Sequence, residues 1–146
     1  MSATPSLSFR HATEADLRLL YACDAYAQSH EGRRHDLRSW VQQGSCILTM
    51  ANDMLLGFVV LDHGFFGHGF VALICVAGEH QGRGVGLALL AEAERQCRTT
   101  KMFTSTNASN QRAQALFARA GFVRSGMIEN LDEGDPEIVY FKPIRR

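Results

Sequence analysis

The chain has 146 residues, a length that suits one compact domain, residues 1–146, around a single core. Lysine plus arginine and aspartate plus glutamate each total 15, so a zero net charge argues against electrostatic capture of nucleic acid or a membrane surface. The apolar runs are shorter than the roughly 20 residues that span a bilayer, and Met1 to Phe9 shows no secretory signal, so we expect a cytoplasmic protein.

The amino-terminal part of the chain predicts a strand and two helices. We expect the strand over Leu7–Arg10. Thr13 caps the first helix, which should run from Glu14 to about Gln28 with Asp16 at the capping-box position. The second helix should run from about Arg34 to Gln43.

The middle of the chain predicts strands. Cys46–Met50 and Met54–Leu61 are β-rich runs on either side of a short turn, and they predict an antiparallel hairpin. Phe70–Val76 is almost wholly apolar, which is typical of a strand covered on both faces. The glycines expected to break the chain between these strands are Gly64, Gly67 and Gly69.

Helices and strands alternate in the remaining sequence, which predicts a mixed α/β fold. In chain order we expect a helix over Val85–Arg98, a strand over Met102–Ser105, a helix that Asn110 opens and Gly121 ends, and strands over Phe122–Glu129 and Ile138–Lys142.

A glycine-rich segment, Gly78–Gly86, lies between the buried strand and the following helix. Glycine permits positive φ and leaves main-chain N–H groups open to a ligand, and a helix amino terminus adds unpaired donors. The segment therefore predicts an anion site suited to a pyrophosphate. It matches neither the P-loop ending nor the GxGxxG spacing of dinucleotide folds. A glutamate at Gly84 or Gly86 should block this site and leave the fold largely intact.

Three segments together resemble the GNAT superfamily of acyl-CoA N-acyltransferases. Gln81–Gly86 fits its signature Gln/Arg-x-x-Gly-x-Gly/Ala, Phe9–Asp16 resembles its opening strand and helix cap, and Asn110–Phe122 resembles its late helix. The resemblance implies a central mixed, mostly antiparallel sheet with helices on both faces and a splayed central strand pair. It also implies transfer of an acetyl group from acetyl-CoA to an amine by direct attack.

The resemblance further implies which residues contact acetyl-CoA, the co-substrate. The backbone at Ile74–Val76 would pair with the pantetheine arm, and the Val76 N–H would face the thioester carbonyl as the oxyanion donor. The residues implied in cofactor binding are Ile74, Cys75, Val76, Gln81, Gly82, Arg83, Gly84, Val85, Gly86, Asn107, Asn110 and Phe117. Asn110 equally fits a pure helix cap.

The sequence departs from the family at both proton-transfer positions. Phe117 occupies the position of the Tyr that commonly acts as the general acid in the family, and Ser105 occupies the position where some relatives carry a Glu as the general base. Tyr140, on the last strand, is the candidate acid, although packing in the sheet also explains it. The acidic segment Glu129–Glu137 is either the rim that attracts a cationic amine and supplies the base, or a solvated loop.

Other functions remain as alternatives. A non-catalytic acyl-CoA-binding module fits the missing Tyr. The histidine spacing predicts no metal site, and Cys75 lacks an evident His partner for nucleophilic catalysis. The acceptor, a small-molecule or peptide amine, and the acyl-chain length stay open, and the resemblance allows a homodimer.

Overall fold

The structure, a computed structural model, describes residues 7–146. Most of the amino-terminal segment that we interpreted as lacking a secretory signal lies outside the described residues. Within those residues, no helix combines the length and the apolar character that crossing a membrane requires.

The amino-terminal helical region differs from the prediction because one expected helix is divided. Strand β1 covers Ser8–His11, a 3-10 turn covers Glu14–Asp16, and helices α1, α2 and α3 cover Leu17–Cys23, Ala25–Ser29 and Glu31–Gln42. The break between α1 and α2 is Asp24, whose backbone is extended and whose Oδ1 accepts a hydrogen bond from the Tyr26 N–H at 3.1 Å. Asp24 therefore caps a new helix, which the helical periodicity of the segment did not indicate.

A seven-stranded sheet forms the centre of the molecule, with strand order β1-β2-β3-β4-β5-β7-β6. All neighbouring pairs are antiparallel except β4 and β5, which are parallel. The other elements are β2 (Cys46–Ala51), β3 (Met54–Phe65), β4 (His68–Val76), α4 (Val85–Gln96), β5 (Lys101–Asn107), α5 (Gln111–Arg119), β6 (Val123–Ile128) and β7 (Glu137–Pro143).

The expected break at the central glycines is confirmed at Gly67 and wrong at Gly64 and Gly69. Strand β3 continues through Gly64 to Phe65, and β4 begins before Gly69. The chain reverses only at Phe66 and Gly67, both of which have positive φ. Phe65 stacks on Phe70 of β4 at a centroid distance of 4.7 Å, and this pair holds the long hairpin together.

Helices cover both faces of the sheet and create two apolar clusters. Helices α4 and α5 pack on one face through residues such as Leu89 and Phe117. Helices α1 to α3 pack on the other face through residues such as Leu20 and Leu37, against β2, β3 and β4. The predicted mixed sheet with helices on both faces is confirmed.

The central strands β4 and β5 separate after a short parallel ladder, as predicted. Their pairing ends at Val71 and Thr104, although β4 continues to Val76 and β5 to Asn107. At the same point the register of β4 against β3 shifts, so that Ala72 is an extra residue on β4. A bulge bends the strand that carries it, which explains why β4 leaves β5 and opens a V-shaped slot.

Candidate functional site

The slot between β4 and β5 is closed at its narrow end by a buried side chain. The Thr104 hydroxyl donates to the Val71 carbonyl at 2.9 Å, and Thr104 is 1% exposed. Beyond this contact, β5 extends to Asn107 and β4 to Val76 without pairing. At about 3.3 Å per residue the unpaired edges are on the order of 10 to 16 Å long, which is room for an extended chain.

The free edge of β4 presents hydrogen-bonding groups to the slot. The Ala77 N–H donates to the Leu56 carbonyl at 2.9 Å, which fixes the alternation of the β3–β4 ladder. Cys75 then bonds to β3, whereas the N–H groups of Ile74 and Val76 point away from β3, towards β5. Among the sequence candidates, Ile74 and Val76 therefore offer main-chain donors to the slot, and the main chain of Cys75 does not.

One carbonyl of this edge is occupied by the glycine-rich loop. The Gln81 Nε2 donates to the Val76 carbonyl at 3.2 Å, so Gln81 ties the loop to the end of β4. This contact leaves the Val76 N–H as the free group at the mouth of the slot. The sequence motif contained Gln81 but did not indicate that its side chain contacts the strand.

The glycine-rich loop folds as an open turn that leads into α4. Gly82 and Gly84 have φ of 79° and 84°, and a Cβ at either position would meet no atom within 4 Å. The first helical bond runs from the Ala88 N–H to the Gly84 carbonyl, so the N–H groups of residues 85–87 lack helical partners. Gln81 to Gly84 are exposed, and together with the helix start they form a concave set of donors.

Gly86 has a different role from the one expected. It is buried, and a Cβ there would lie 3.1 Å from Leu116 Cδ2 and 3.7 Å from Val76 Cγ2. Gly86 and the buried Val85 thus let α4 pack closely on α5 and on the end of β4. A glutamate at Gly86 would enter this apolar contact, so in place of the expectation from the sequence we predict that it destabilises the fold.

The candidate residues after β5 are engaged in local structure. Asn107 Nδ2 donates to Asp132 Oδ2 at 2.8 Å and to the Asp135 carbonyl at 3.2 Å. Asn110 Oδ1 accepts from the Ala113 N–H at 3.1 Å, which is the helix-cap role. Both asparagines border the open end of the slot, but these atoms are already used within the chain.

Phe117 and Tyr140 lie together on the α4–α5 face of the sheet. Phe117 is 2% exposed, and its ring centroid is 5.5 Å from that of Tyr140, which is 8% exposed. The Tyr140 hydroxyl has no hydrogen-bond partner among residues 7–146, and it is not fully sealed from solvent. Tyr140 faces Thr104 across the β5–β7 ladder, beside the narrow end of the slot. Its phenol is therefore an available donor on the strand next to β5, one strand away from the slot.

The Cys75 thiol points away from the slot, into the contact between β4 and α1. Its Sγ lies 3.8 Å from Cys23 Sγ and donates to the Cys23 carbonyl at 3.3 Å. The hydrogen bond with Cys23 and burial raise the pKa of Cys75. A thiol of this kind is a poor nucleophile.

The acidic segment between β6 and β7 is ordered against the end of β5. Asp135 accepts from the Ser109 N–H at 3.0 Å and from its hydroxyl at 2.6 Å, so it stabilises the turn before α5. Glu137, the first residue of β7, accepts from the Ser105 hydroxyl at 2.7 Å. The sequence indicated the segment but not Glu137, because this contact depends on the register between two distant strands.

A separate cavity of about 570 Å³ lies at the opposite end of β4. It is lined by polar groups that include His11, His63 and Arg98. His63 Nε2 accepts from the Arg98 N–H at 3.0 Å, and burial lowers the pKa of His63. Neither a glycine-rich loop nor an unpaired strand edge borders this cavity, so the slot is the stronger candidate. In the described part of the chain, no group of three His, Cys, Asp or Glu side chains could hold a metal ion.

Comparisons with known proteins agree with the fold. A family model described as the acetyltransferase (GNAT) family matches residues 14–122. A GNAT-family acetyltransferase from Bacillus cereus, known from a crystal structure, is 33% identical in sequence to this chain and superposes with a TM-score of 0.89. The match covers 97% of this chain and 100% of the Bacillus cereus chain. No curated protein matches the chain.

Two more distant structures share the fold. The Salmonella typhimurium protein yncA, solved with its cofactor acetyl-CoA, is 16% identical, with 97% and 95% of the two chains covered and a TM-score of 0.72. Ard1 from Thermoplasma volcanium is 17% identical, with 96% and 99% covered and a TM-score of 0.81. The family resemblance drawn from the sequence is confirmed.

Proposed function

The chain belongs to the GNAT acetyltransferase family, and from this premise we propose that it is a single-domain N-acetyltransferase that moves the acetyl group of acetyl-CoA to an amine. The observation that carries the proposal is the slot itself. Its β4 edge offers the unpaired N–H groups of Ile74 and Val76, and its mouth adjoins the donors of residues 82–87. The acetyl-CoA in the solved structure of yncA adds support, at the level of the shared fold.

The residues of the slot fit an extended thioester bound through a pyrophosphate. The N–H groups of Gly82 to Leu87, with the positive end of α4, would hold the pyrophosphate. Val76 lies nearest the loop, so its N–H would bond the pantetheine arm, and the N–H of Ile74, deeper in the slot, would donate to the thioester carbonyl in place of the Val76 N–H expected from the sequence. Gln81 Nε2 donates to the Val76 carbonyl at 3.2 Å, which ties the end of β4 to the loop that would hold the pyrophosphate.

Direct attack by the amine nitrogen on the thioester carbon then requires little covalent chemistry from the protein. The Ile74 N–H would stabilise the negative charge that develops on the carbonyl oxygen. The C–N bond forms, the C–S bond breaks, and the electron pair of the C–S bond leaves with sulfur. Tyr140 is the candidate acid for the departing thiolate, because no hydrogen-bond partner of its hydroxyl is found among residues 7–146 and its strand pairs with β5, which borders the slot.

A non-catalytic acyl-CoA-binding module is the second candidate function. The observation that favours it is Phe117, which replaces the usual acidic Tyr of the late helix and is packed in the core. Such a module would bind acetyl-CoA through the same slot and loop and would not turn over.

Release of CoA thiol distinguishes the two functions. The test uses the purified chain, acetyl-CoA and a panel of primary amines: butylamine, spermidine, lysine and a short peptide with a free amino terminus. We expect thiol release that depends on both substrates and equals the amount of acetylated amine. Calorimetric binding of acetyl-CoA without amine-dependent release would support the binding module. We further propose that the enzyme is cytoplasmic and that its reaction uses no metal ion.

A further inference from the structure

Ser105, the first residue of β5 beyond its pairing with β4, has a carboxylate as its side-chain partner. Ser105 donates its hydroxyl to Glu137 Oε2 at 2.7 Å. In the β5–β7 ladder, Asn107 is paired with Glu137 and Ser105 with Val139, so Ser105 and Glu137 are diagonal neighbours on one face. Glu137 therefore carries a carboxylate to within hydrogen-bonding distance of residue 105.

This face of β5 and β7 is the side of the sheet opposite Tyr140. Phe103 and Phe141 share the face with Ser105 and Glu137, and their centroids are 5.4 Å apart. The apolar cluster under α1 to α3 takes its strand residues from β2, β3 and β4, so those helices stop short of β5 and β7. A second substrate can thus approach the slot over Ser105 while Tyr140 acts from the other face.

The other carboxylates of the acidic segment are less suited to bind this substrate. Asp135 has both oxygens on Ser109, and Asp132 holds Asn107. Glu129 and Glu133 are exposed in the loop before β7. Glu137 is half-buried and anchored at the start of a strand, and its Oε1 has no partner among the described residues.

We propose that Glu137 is a catalytic residue that binds the acceptor as an ammonium ion and takes its proton, and that Ser105 is the residue that positions it. This inference rests on the proposed N-acetyltransferase function. Glu137 accepts one proton from R–NH₃⁺, directly or through one water, and passes it to solvent. The amine then forms the C–N bond, its second proton is lost on collapse to the amide, and the thiolate receives one. The sum is R–NH₃⁺ plus acetyl-CoA giving the N-acetyl amine, CoA–SH and H⁺.

Isosteric variants of the full chain test this role with the amine of the panel that gives the fastest thiol release. Glu137→Gln retains an acceptor for Ser105 and should fold with an unchanged melting temperature. We expect its kcat to fall by about 100-fold at neutral pH, with an unchanged Kd for acetyl-CoA. The deficit should shrink as pH rises, because more of the amine then arrives neutral. Glu133→Gln, the matched loss of one charge in the same segment, should behave as the wild type.

The role of Ser105 in positioning Glu137 is tested separately. Ser105→Ala should lower kcat by about tenfold, the worth of one hydrogen bond to a charged group, and Ser105→Thr should restore it because it keeps the hydroxyl. A Glu137→Gln kcat within twofold of wild type, or an equal loss in Glu133→Gln, would overturn the role of Glu137. An unaltered Ser105→Ala would overturn the positioning role. Absence of thiol release by the wild type with every amine would contradict the proposed function instead.

Discussion

A glutamate at position 84 is expected to abolish acetyl-CoA binding in a chain that still folds. Gly84 has φ of 84°, and a Cβ there would meet no atom within 4 Å, so the change costs backbone strain alone. Left-handed strain of roughly 1–2 kcal/mol corresponds to a fall in melting temperature of about 2–8 °C for a chain of this size. A carboxylate about 5 Å from a phosphate charge adds about 3 kcal/mol of repulsion at an effective dielectric constant of about 20. The affinity should therefore fall by more than about 100-fold.

Two further glutamate variants isolate this effect. Gly32→Glu adds the same charge on the exposed first turn of α3, where a Cβ also meets nothing within 4 Å, and it should bind acetyl-CoA normally. Gly86→Glu forces a carboxylate against Leu116 and should unfold the chain. Calorimetry and thermal melts with and without acetyl-CoA measure both quantities. A Gly84→Glu protein that binds acetyl-CoA within threefold of wild type would refute the anion site.

Three other predictions concern the acid, stability and assembly. Tyr140→Phe removes a hydroxyl that has no partner among the described residues and keeps the packed ring. The kcat of this variant should fall by about 100-fold with an unchanged Kd for acetyl-CoA, and an unchanged kcat would exclude Tyr140 as the acid. The hydrogen bond from Arg10 lowers the pKa of Asp16 from 3.8 to about 2. Because Arg10 is partly exposed and its charge is screened by solvent, this pair should add about 1–2 kcal/mol to the free energy of unfolding above pH 4. That stability should be lost as the pH falls towards 2, and urea unfolding of Asp16→Asn should lack this pH dependence. Strand β6 is a sheet edge with exposed Val123 and Met127, and such an edge can pair with a second copy of the chain. We therefore expect light scattering at high concentration to give the mass of a homodimer, and a monomer mass would reject this prediction.

The features that the sequence predicted well are those set by neighbouring residues. The hairpin of β2 and β3 follows from two β-rich runs around Asn52 and Asp53, both of which adopt positive φ. The start of α4 follows from glycines that allow the open turn at Gly82 and Gly84. Local propensity and local pattern are sufficient at these positions.

The features that the sequence missed depend on side-chain partners in other helices and strands. The helix break at Asp24 is stabilised by an ion pair with Arg33 at 2.8 Å, in another helix. The extension of β3 to Phe65 depends on stacking against Phe70 and Phe103. The contact of Ser105 with Glu137 joins residues 32 positions apart through a ladder register, and composition gives no information on that register.

A crystal structure with bound acetyl-CoA locates the thioester and so decides whether the slot is the active site. We predict a pantetheine arm between the edges of β4 and β5, a thioester carbonyl within hydrogen-bonding distance of the Ile74 N–H, and a pyrophosphate on the N–H groups of residues 82–87. Acetyl-CoA bound elsewhere, for example in the cavity beside His63 and Arg98, with an empty slot between β4 and β5, would contradict this prediction.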